Sequence, residues 1–424
     1  MARAKDHGGL PSLANAEWLT RPQTRAVFDA LTADGAEARA VGGAVRNALM
    51  GVPVKDVDIA TTALPTEVMR LAEGAGLHPV PTGIEHGTVT VIAGKMPFEV
   101  TTLRRDIETF GRHAKVTFAA DWGEDAMRRD FTMNALYCDA DGTVHDPLGG
   151  YGDLKTKRVR FIGDARQRIR EDYLRILRFF RFGAEYGDAD APDADGLAAA
   201  KAEKAGLQLL SGERIRTELL LLLAAPGAVA ALRSMRDSGI IEPLLGLEGN
   251  VDLVARLAAI EESLSRAPDP LLRLAALGSG TREDLRERLR LSTIEGDRLA
   301  NARRRDDAFD PRTEEAAAKV AIYRHGAETF VDGALLDWAR SDDRPQDIDR
   351  AARVTLPERW TAPQLPVLGA DIVALGVAPG PGVGRVVADF KEWWIAAGFP
   401  SDAERVRAKL EALARGELQD RRDA

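Results

Sequence analysis

The stretch that most constrains this chain runs from Val41 to Pro65, VGGAVRNALMGVPVKDVDIATTALP. Acidic and apolar residues alternate through Lys55-Asp56-Val57-Asp58-Ile59-Ala60, the pattern of a half-buried strand. Period-two geometry then puts Asp56 and Asp58 on one face and Val57 and Ile59 on the other. Two carboxylates side by side repel, and a cation between them relieves the repulsion. Magnesium suits such a pair, because it takes oxygen ligands, keeps several waters and is completed by substrate phosphates rather than by an all-protein cage. Ions held roughly 4 Å apart could activate an attacking hydroxyl and steady the leaving oxygen of a displacement at phosphorus. Upstream, Gly42-Gly43 leads into a helix expected from Ala44 to Met50, closed by Gly51 with Pro53 just beyond. Glycine permits close backbone approach and a helix N-terminus attracts phosphate, with Arg46 adding a cation in the first turn. Taken singly, an Asp-x-Asp is usually a solvated strand face and a Gly-Gly usually a turn. In this order and this close together, they favour phosphate and metal chemistry.

A chain of 424 residues has room for about three domains. Its longest apolar run, Leu219 to Ala225, is far too short to span a bilayer, and no signal peptide is visible, so no membrane association is expected. One cysteine, Cys138, rules out internal disulfides and fits a reducing cytosol, and the six histidines show no zinc spacing. The expected location is cytoplasmic. A net charge of −8 argues mildly against a nucleic-acid partner. Distribution matters more than the sum, however: ten lysines and arginines between Lys155 and Arg181 form a local cationic stripe.

Residues 1 to 20 read as a poorly ordered lead-in. From about Arg21 to Arg160, short β-like runs alternate with short helical ones, as in a mixed sheet. The strands expected are Ala38 to Val41, Val57 to Thr61, His78 to Pro81, Thr88 to Ile92, Phe98 to Thr102 and Leu136 to Cys138. Helices are expected over Thr66 to Gly74 and Glu124 to Arg129, and Leu103 to Gly123 reads as a mobile loop. Past Gly163, alanine, leucine, arginine and glutamate dominate, and helix is expected almost throughout, interrupted by a Pro/Gly-rich connector from Ala378 to Gly384. The fold class is α+β.

Three further clusters carry chemistry. Phe98 to Thr102 alternates, so Glu99 and Thr101 face one way and Phe98 and Val100 the core. Beside the Asp56 strand, Glu99 would be a third metal ligand or a carboxylate supporting the ligands; elsewhere it is an ordinary exposed glutamate. Glu124 to Ala135, EDAMRRDFTMNA, is either a solvated helix with local ion pairs or a stretch from which one arginine reaches substrate phosphate with its planar fork. In Arg170 to Arg181, REDYLRILRFFR, a helical spacing of three turns each residue back by about 60°. Asp172 and Arg175 become neighbours, and Ile169, Tyr173, Ile176, Leu177 and Phe180 form the packed face. An acceptor beside a donor can pair with the edge of a base. A carboxylate accepts from the amine of cytosine or adenine, whereas uracil presents a carbonyl there and leaves both acceptors unpaired. The plainer alternative is a surface ion pair of little energetic value.

With these clusters in hand, the chain resembles the class II tRNA nucleotidyltransferase and bacterial poly(A) polymerase family, within the DNA polymerase beta superfamily. The match runs through VGGAVRNALMG, KDVDIATTALP, FEVTTLRRD, EDAMRRDFTMNALY, DPLGGYGDLK, REDYLRILRFFRF and SGERIRTELLLLL in consistent order. The resemblance implies a polymerase-beta-like nucleotidyltransferase head with a small mixed sheet over 21–160. A helical neck with a nucleotide-selecting helix (161–248), a helical body (249–355) and a helical, tRNA-binding tail (356–424) would follow. Carried over by position, Asp56 and Asp58 would bind Mg2+, and Glu99 joins them as a candidate catalytic carboxylate. Gly42, Gly43, Arg46 and Arg129 would meet the triphosphate, Asp172 and Arg175 would read the base, and Arg178 and Arg181 would support nucleotide or RNA phosphate. The activity implied is template-independent addition of CCA to tRNA 3′ ends from CTP and ATP, releasing pyrophosphate. An A-only or poly(A) polymerase shares the head, and a non-catalytic RNA-binding protein on a decayed head is an alternative of another class. Asn47 stands where the family usually has aspartate, no phosphohydrolase signature follows the neck, and no obligate protein partner is implied.

Overall fold

The structure, a computed structural model, describes residues 9–110, 113–118, 121–278 and 282–420. Contacts divide it into two units, one up to Val251 with Pro268–Ser292, the other Asp252–Ala267 with the chain from Thr293 onward.

The first unit carries strands β1 (Ala38–Val41), β2 (Asp58–Thr61), β3 (His78–Gly83), β4 (Thr88–Ala93), β5 (Met96–Thr102), β6 (Arg104–Phe110), β7 (His113–Phe118), β8 (Tyr137–Cys138) and β9 (Val144–His145). Seven of them form one mixed sheet in the order β3-β4-β5-β2-β1-β8-β9. The central strand β2 runs antiparallel to β1 and parallel to β5, in a register that sets Asp58 opposite Val41 on one side and Glu99 on the other. Alternation on the strands sorts their faces: Ile59, Val89, Val91, Phe98 and Val100 are buried, while Asp58 and Glu99 are exposed. The helix between β1 and β2 is Gly43–Leu49, entered through Gly42 at φ +67°, a backbone conformation that favours glycine. The mixed sheet followed by helices is the α+β arrangement expected.

Three expectations are corrected. Leu103 to Gly123 is no loop: β6 and β7 pair as an antiparallel hairpin, and a helix starts at Trp122. The charges in this stretch mask its strand formers, Ile107, Thr109, Phe110, Val116, Thr117 and Phe118. The lead-in is ordered from Leu13 on. Leu13 N–H bonds the Gly142 carbonyl at 2.9 Å, Trp18 and Leu19 are buried, and a Cβ on Gly142 would lie 2.1 Å from Ala14 N. The connector before the last helices also shortens, because Pro381 opens the helix Pro381–Ala396, where a missing N–H costs nothing.

The second unit is helical. Thr293–Arg303 packs on Ala327–Arg340, with Arg298 reaching Asp332 at 2.8 Å. Pro381–Ala396 and Ala403–Asp420 enclose a core of Phe390, Trp394, Leu410 and Ala414.

Candidate active site

The carboxylates gather where β2 begins. Asp58 opens the strand, and Asp56 precedes it in chain without regular secondary structure rather than within the expected strand; both are exposed, while Val57 and Ile59 between and beyond them are buried. Glu99 is level with Asp58 on β5. Although the Asp58 residue keeps solvent access, the protein packed around its carboxyl and then the Glu99 charge push that group up to about 6; Asp56 adds to the shift and Arg129 opposes it. Negative charge is thus concentrated around Asp58 beyond what the nearby arginine neutralises. Oxygen donors under such repulsion fit a hard divalent cation that takes its remaining ligands from water and phosphate. Among the described residues no three His, Cys, Asp or Glu side chains converge as a complete cage.

Arg129 is held from behind. Its Nη2 and Nε donate to the Asp125 carboxylate at 2.8 and 3.2 Å, and Nε also reaches the Tyr137 hydroxyl at 3.2 Å. Tyr137 donates to the same carboxylate at 2.8 Å, and Arg128 binds its other oxygen at 2.8 Å. Burial alone would raise the Asp125 carboxyl, but Arg129 and Arg128, helped by the Arg129 and Tyr137 hydrogen bonds, hold it down to about 2. Gly42 lies beside this arginine: a Cβ there would sit 3.8 Å from Arg129 Nη1. Arg46, expected to add a cation at the helix N-terminus, turns inward. It is buried, its Nη1 on Asn134 Oδ1 at 2.6 Å, its Nε and Nη2 on Asn47 Oδ1 at 3.1 and 2.9 Å, and its guanidinium 3.7 Å from the centre of the Tyr186 ring. Desolvation lowers its pKa. Gly43 lies close by, its would-be Cβ 3.7 Å from Arg46 Nη2.

The segment read as one helix from Arg170 is two. Ala165–Glu171 ends at Asp172, whose backbone is extended (φ −154°, ψ 106°), and Leu174–Tyr186 begins after Tyr173. Aspartate favours this break because it can serve the next helix itself: its side chain accepts from Leu174 N at 3.2 Å and its carbonyl from Arg175 N at 3.0 Å. Asp172 and Arg175 stay adjacent, but they do not pair. Arg214 forks onto Asp172 at 3.1 and 2.7 Å, and Arg175 binds Glu171 at 2.7 Å and the Arg168 carbonyl at 2.6 Å. Arg178 donates to Asp130 at 2.9 Å and to Glu218 at 3.3 Å, while Arg181 binds Glu218 at 2.6 Å and Glu185 at 3.0 Å. The cationic stripe is therefore an ion-pair seam. Arg158 on Asp193 at 2.6 Å, Arg160 on Asp153 at 2.8 Å and Arg170 on Glu203 at 3.0 Å continue it.

Sequence reading missed Asp125, Asp130, Tyr137, Arg214 and Glu218. The last two lie on Gly212–Ala224, within SGERIRTELLLLL, where four charged residues crowded into the first two turns ahead of a leucine run were the available signal. The two ends of the site are joined through 129–130: Arg168 donates to the Arg129 carbonyl at 2.7 Å, and Arg178 to the next residue's carboxylate.

The Poly A polymerase head domain family matches residues 38–160, and the family described as the probable RNA and SrmB-binding site of polymerase A matches 193–247. The CCA tRNA nucleotidyltransferase 1, mitochondrial, of Mus musculus is 35% identical over 378 residues, covering 87% of this chain and 85% of the mouse protein. The chain belongs to the CCA-adding tRNA nucleotidyltransferase family. A bacterial relative, the CCA-adding enzyme of Geobacillus stearothermophilus, is 40% identical over 235 residues, 55% of this chain and 56% of that enzyme. In three dimensions, the Bacillus stearothermophilus CCA-adding enzyme crystallised with CTP superposes with a TM-score of 0.73 at 29% identity, covering 94% of this chain and all of that one. As a member of this family the chain is an enzyme, a nucleotidyltransferase.

Proposed function

We propose that this chain adds C, C and A to the 3′ end of tRNA, taking CTP and ATP and using no nucleic-acid template. The observation that carries the reading is the join just described: the charged edge at Asp58 and the turn at Asp172 are tied through one short bonded segment. A nucleotide lying across that segment would have its phosphates at one end and its base at the other.

In this reading the RNA 3′-hydroxyl attacks the α-phosphate, forming the O3′–P bond and breaking the bond to the β-phosphate, so that pyrophosphate leaves. Asp56 and Asp58 would hold divalent cations, Mg2+ in our reading, beside the Glu99 charge. Bound there, such ions ease deprotonation of the hydroxyl and offset charge on the leaving oxygen. Arg129, fixed by Asp125 and Tyr137, faces the triphosphate next to the Gly42-Gly43 backbone. Arg46, braced by Asn47 and Asn134, supports that backbone from behind. Asp172 accepts from the exocyclic amine of cytosine or adenine, Arg175 donates beside it, and uracil's carbonyl finds no donor at Asp172. Arg178 and Arg181 brace this helix and lie near nucleotide phosphate.

We assign residues 21–160 to a catalytic head, 161–248 to a neck, 249–355 to a body and 356–424 to a tail, the later regions gripping tRNA. Among the described residues no helix is long and apolar enough to cross a membrane. Cys138 is buried and unpaired, which suits the cytoplasm. Transcripts of tRNA ending before CCA, incubated with CTP alone, ATP alone and both, test the proposal. CTP use followed by a stop after three additions supports it, whereas open-ended A addition or no incorporation overturns it.

A further inference from the structure

The second unit contains arginines that no step above uses. Thr293–Arg303 and Ala327–Arg340 pack side by side, with Arg298 reaching Glu328 at 3.2 Å and Asp332 at 2.8 Å. Each helix then ends in an arginine, Arg303 and Arg340, and Arg305 follows on exposed chain. Arg340 is half-buried, and its Nη1 is shut off from solvent with no hydrogen-bond acceptor among the described residues. Burial lowers the pKa of both helix-end arginines; Arg340 lowers that of Arg303 further, and Arg305 that of Arg340.

The acidic group that faces Arg340 is already occupied. Asp337, one turn before Arg340, exerts the one opposing pull but is bonded by Arg350 at 2.6 Å. Asp306 caps Ala308 N at 3.0 Å, and Asp307 is exposed. A cation at a helix C-terminus ordinarily serves the terminal carbonyls. Here Arg256 already does that, donating to the carbonyls of Ser341 and of Asp343, the latter at 3.2 Å. An arginine answering only to the helix dipole would also keep its guanidinium in water, not turn Nη1 inward beside like charges. Such an arrangement costs free energy until an anion enters, and the guanidinium fork matches phosphate oxygens.

We infer that Arg340 and Arg305, with Arg303 beside them, form a phosphate-binding site for the RNA backbone on the second unit. This rests on RNA being the substrate of the proposed reaction.

The test uses Arg340→Gln and, because Arg305 is exposed and its loss leaves packing intact, Arg305→Gln, in the full chain. Affinity for tRNA lacking CCA is read by fluorescence anisotropy across a salt series. Each variant is expected to bind roughly 3- to 10-fold more weakly, with a log–log salt slope shallower by about 0.7 to 0.9 for each lost contact. Without RNA, Arg340→Gln is expected to hold or raise Tm, since a buried like charge is gone. A lower Tm with unchanged affinity and slope in both variants would show a structural role and overturn the inference. Inorganic phosphate is titrated in parallel; stabilisation of wild type by phosphate, with tRNA affinity untouched by either substitution, overturns the assignment to RNA. Labelled CTP incorporation by wild type separates the two readings. No incorporation sinks the proposed function, whereas incorporation with variants that bind tRNA like wild type sinks only the phosphate site.

Discussion

Arg214 grips both carboxylate oxygens of Asp172, at 3.1 and 2.7 Å, from a helix that begins some forty residues later in the chain. The grip points the proposed base-reading acceptor and leaves Arg175 to Glu171. Arg214→Lys keeps the charge but loses the fork. Selection of CTP over UTP is expected to fall by about 1–3 kcal/mol, roughly 5- to 150-fold in the ratio of kcat/KM values. An unchanged ratio would remove Arg214 from base choice.

Tyr173 is seated on Gly206. A Cβ at Gly206 would lie 2.0 Å from the tyrosine ring, so Gly206→Ala must push the ring, and with it the turn at Asp172, out of place. Overpacking of this kind costs about 1–3 kcal/mol. The expected result is a lower Tm together with a raised KM for CTP. A Tm loss with KM and nucleotide choice intact would mean that the ring moves without carrying the turn.

With the Asp58 carboxyl pushed up to about 6 by burial and Glu99, protons and cations compete for it in a range where an ordinary carboxylate is already ionised. For a raised carboxyl pKa the sign is that, with no cation bound, the folded protein loses stability as pH rises from the ordinary value of 3.8 through about 6. Cation binding should reverse this loss. Thermal shift by Mg2+ is expected to be strong at pH 7.5, to shrink below pH 6, and to vanish in Asp58→Asn at every pH. A Mg2+ shift independent of pH between 5 and 7.5 would contradict the assignment.

The sheet was readable because its strands alternate: Val57, Ile59, Phe98 and Val100 announce a buried face, and the carboxylates between them announce the other. The break at Asp172 was not, since Arg170 to Arg181 has good helix formers and an unbroken apolar stripe. The one local cue is an aspartate able to cap the next helix; what fixes the turn is distant in sequence, the Arg214 fork and the space left by Gly206, and no local pattern reports a contact made across the chain. The same holds for the basic stripe. Counting arginines between Lys155 and Arg181 predicts a phosphate surface, but Asp130, Asp193, Glu203 and Glu218, all outside that window, turn it into a seam.

Asp125 makes the strongest case that stability and catalysis share one group. Its carboxylate is 1% exposed and serves Arg128, Arg129 and Tyr137 together. Asp125→Asn leaves two guanidiniums short of their counter-charge, and removing one partner of a buried pair costs about 3–5 kcal/mol. The carboxyl is held down to about 2 in the folded state against an ordinary 3.8. It therefore contributes stability above pH 3.8, on the order of 2 kcal/mol, that drains away as pH falls through about 2. Asp130, held down to about 2 in spite of its burial by Arg178 and the Asn134 side chain, loses its contribution over the same window in both proteins and cancels from the comparison. The Tm gap between wild type and Asp125→Asn should thus be widest near neutral pH and close toward pH 2. A gap that stays constant down to pH 2.5 would mean that the destabilisation comes from lost packing, and that Arg129 needs no anion behind it to face a triphosphate.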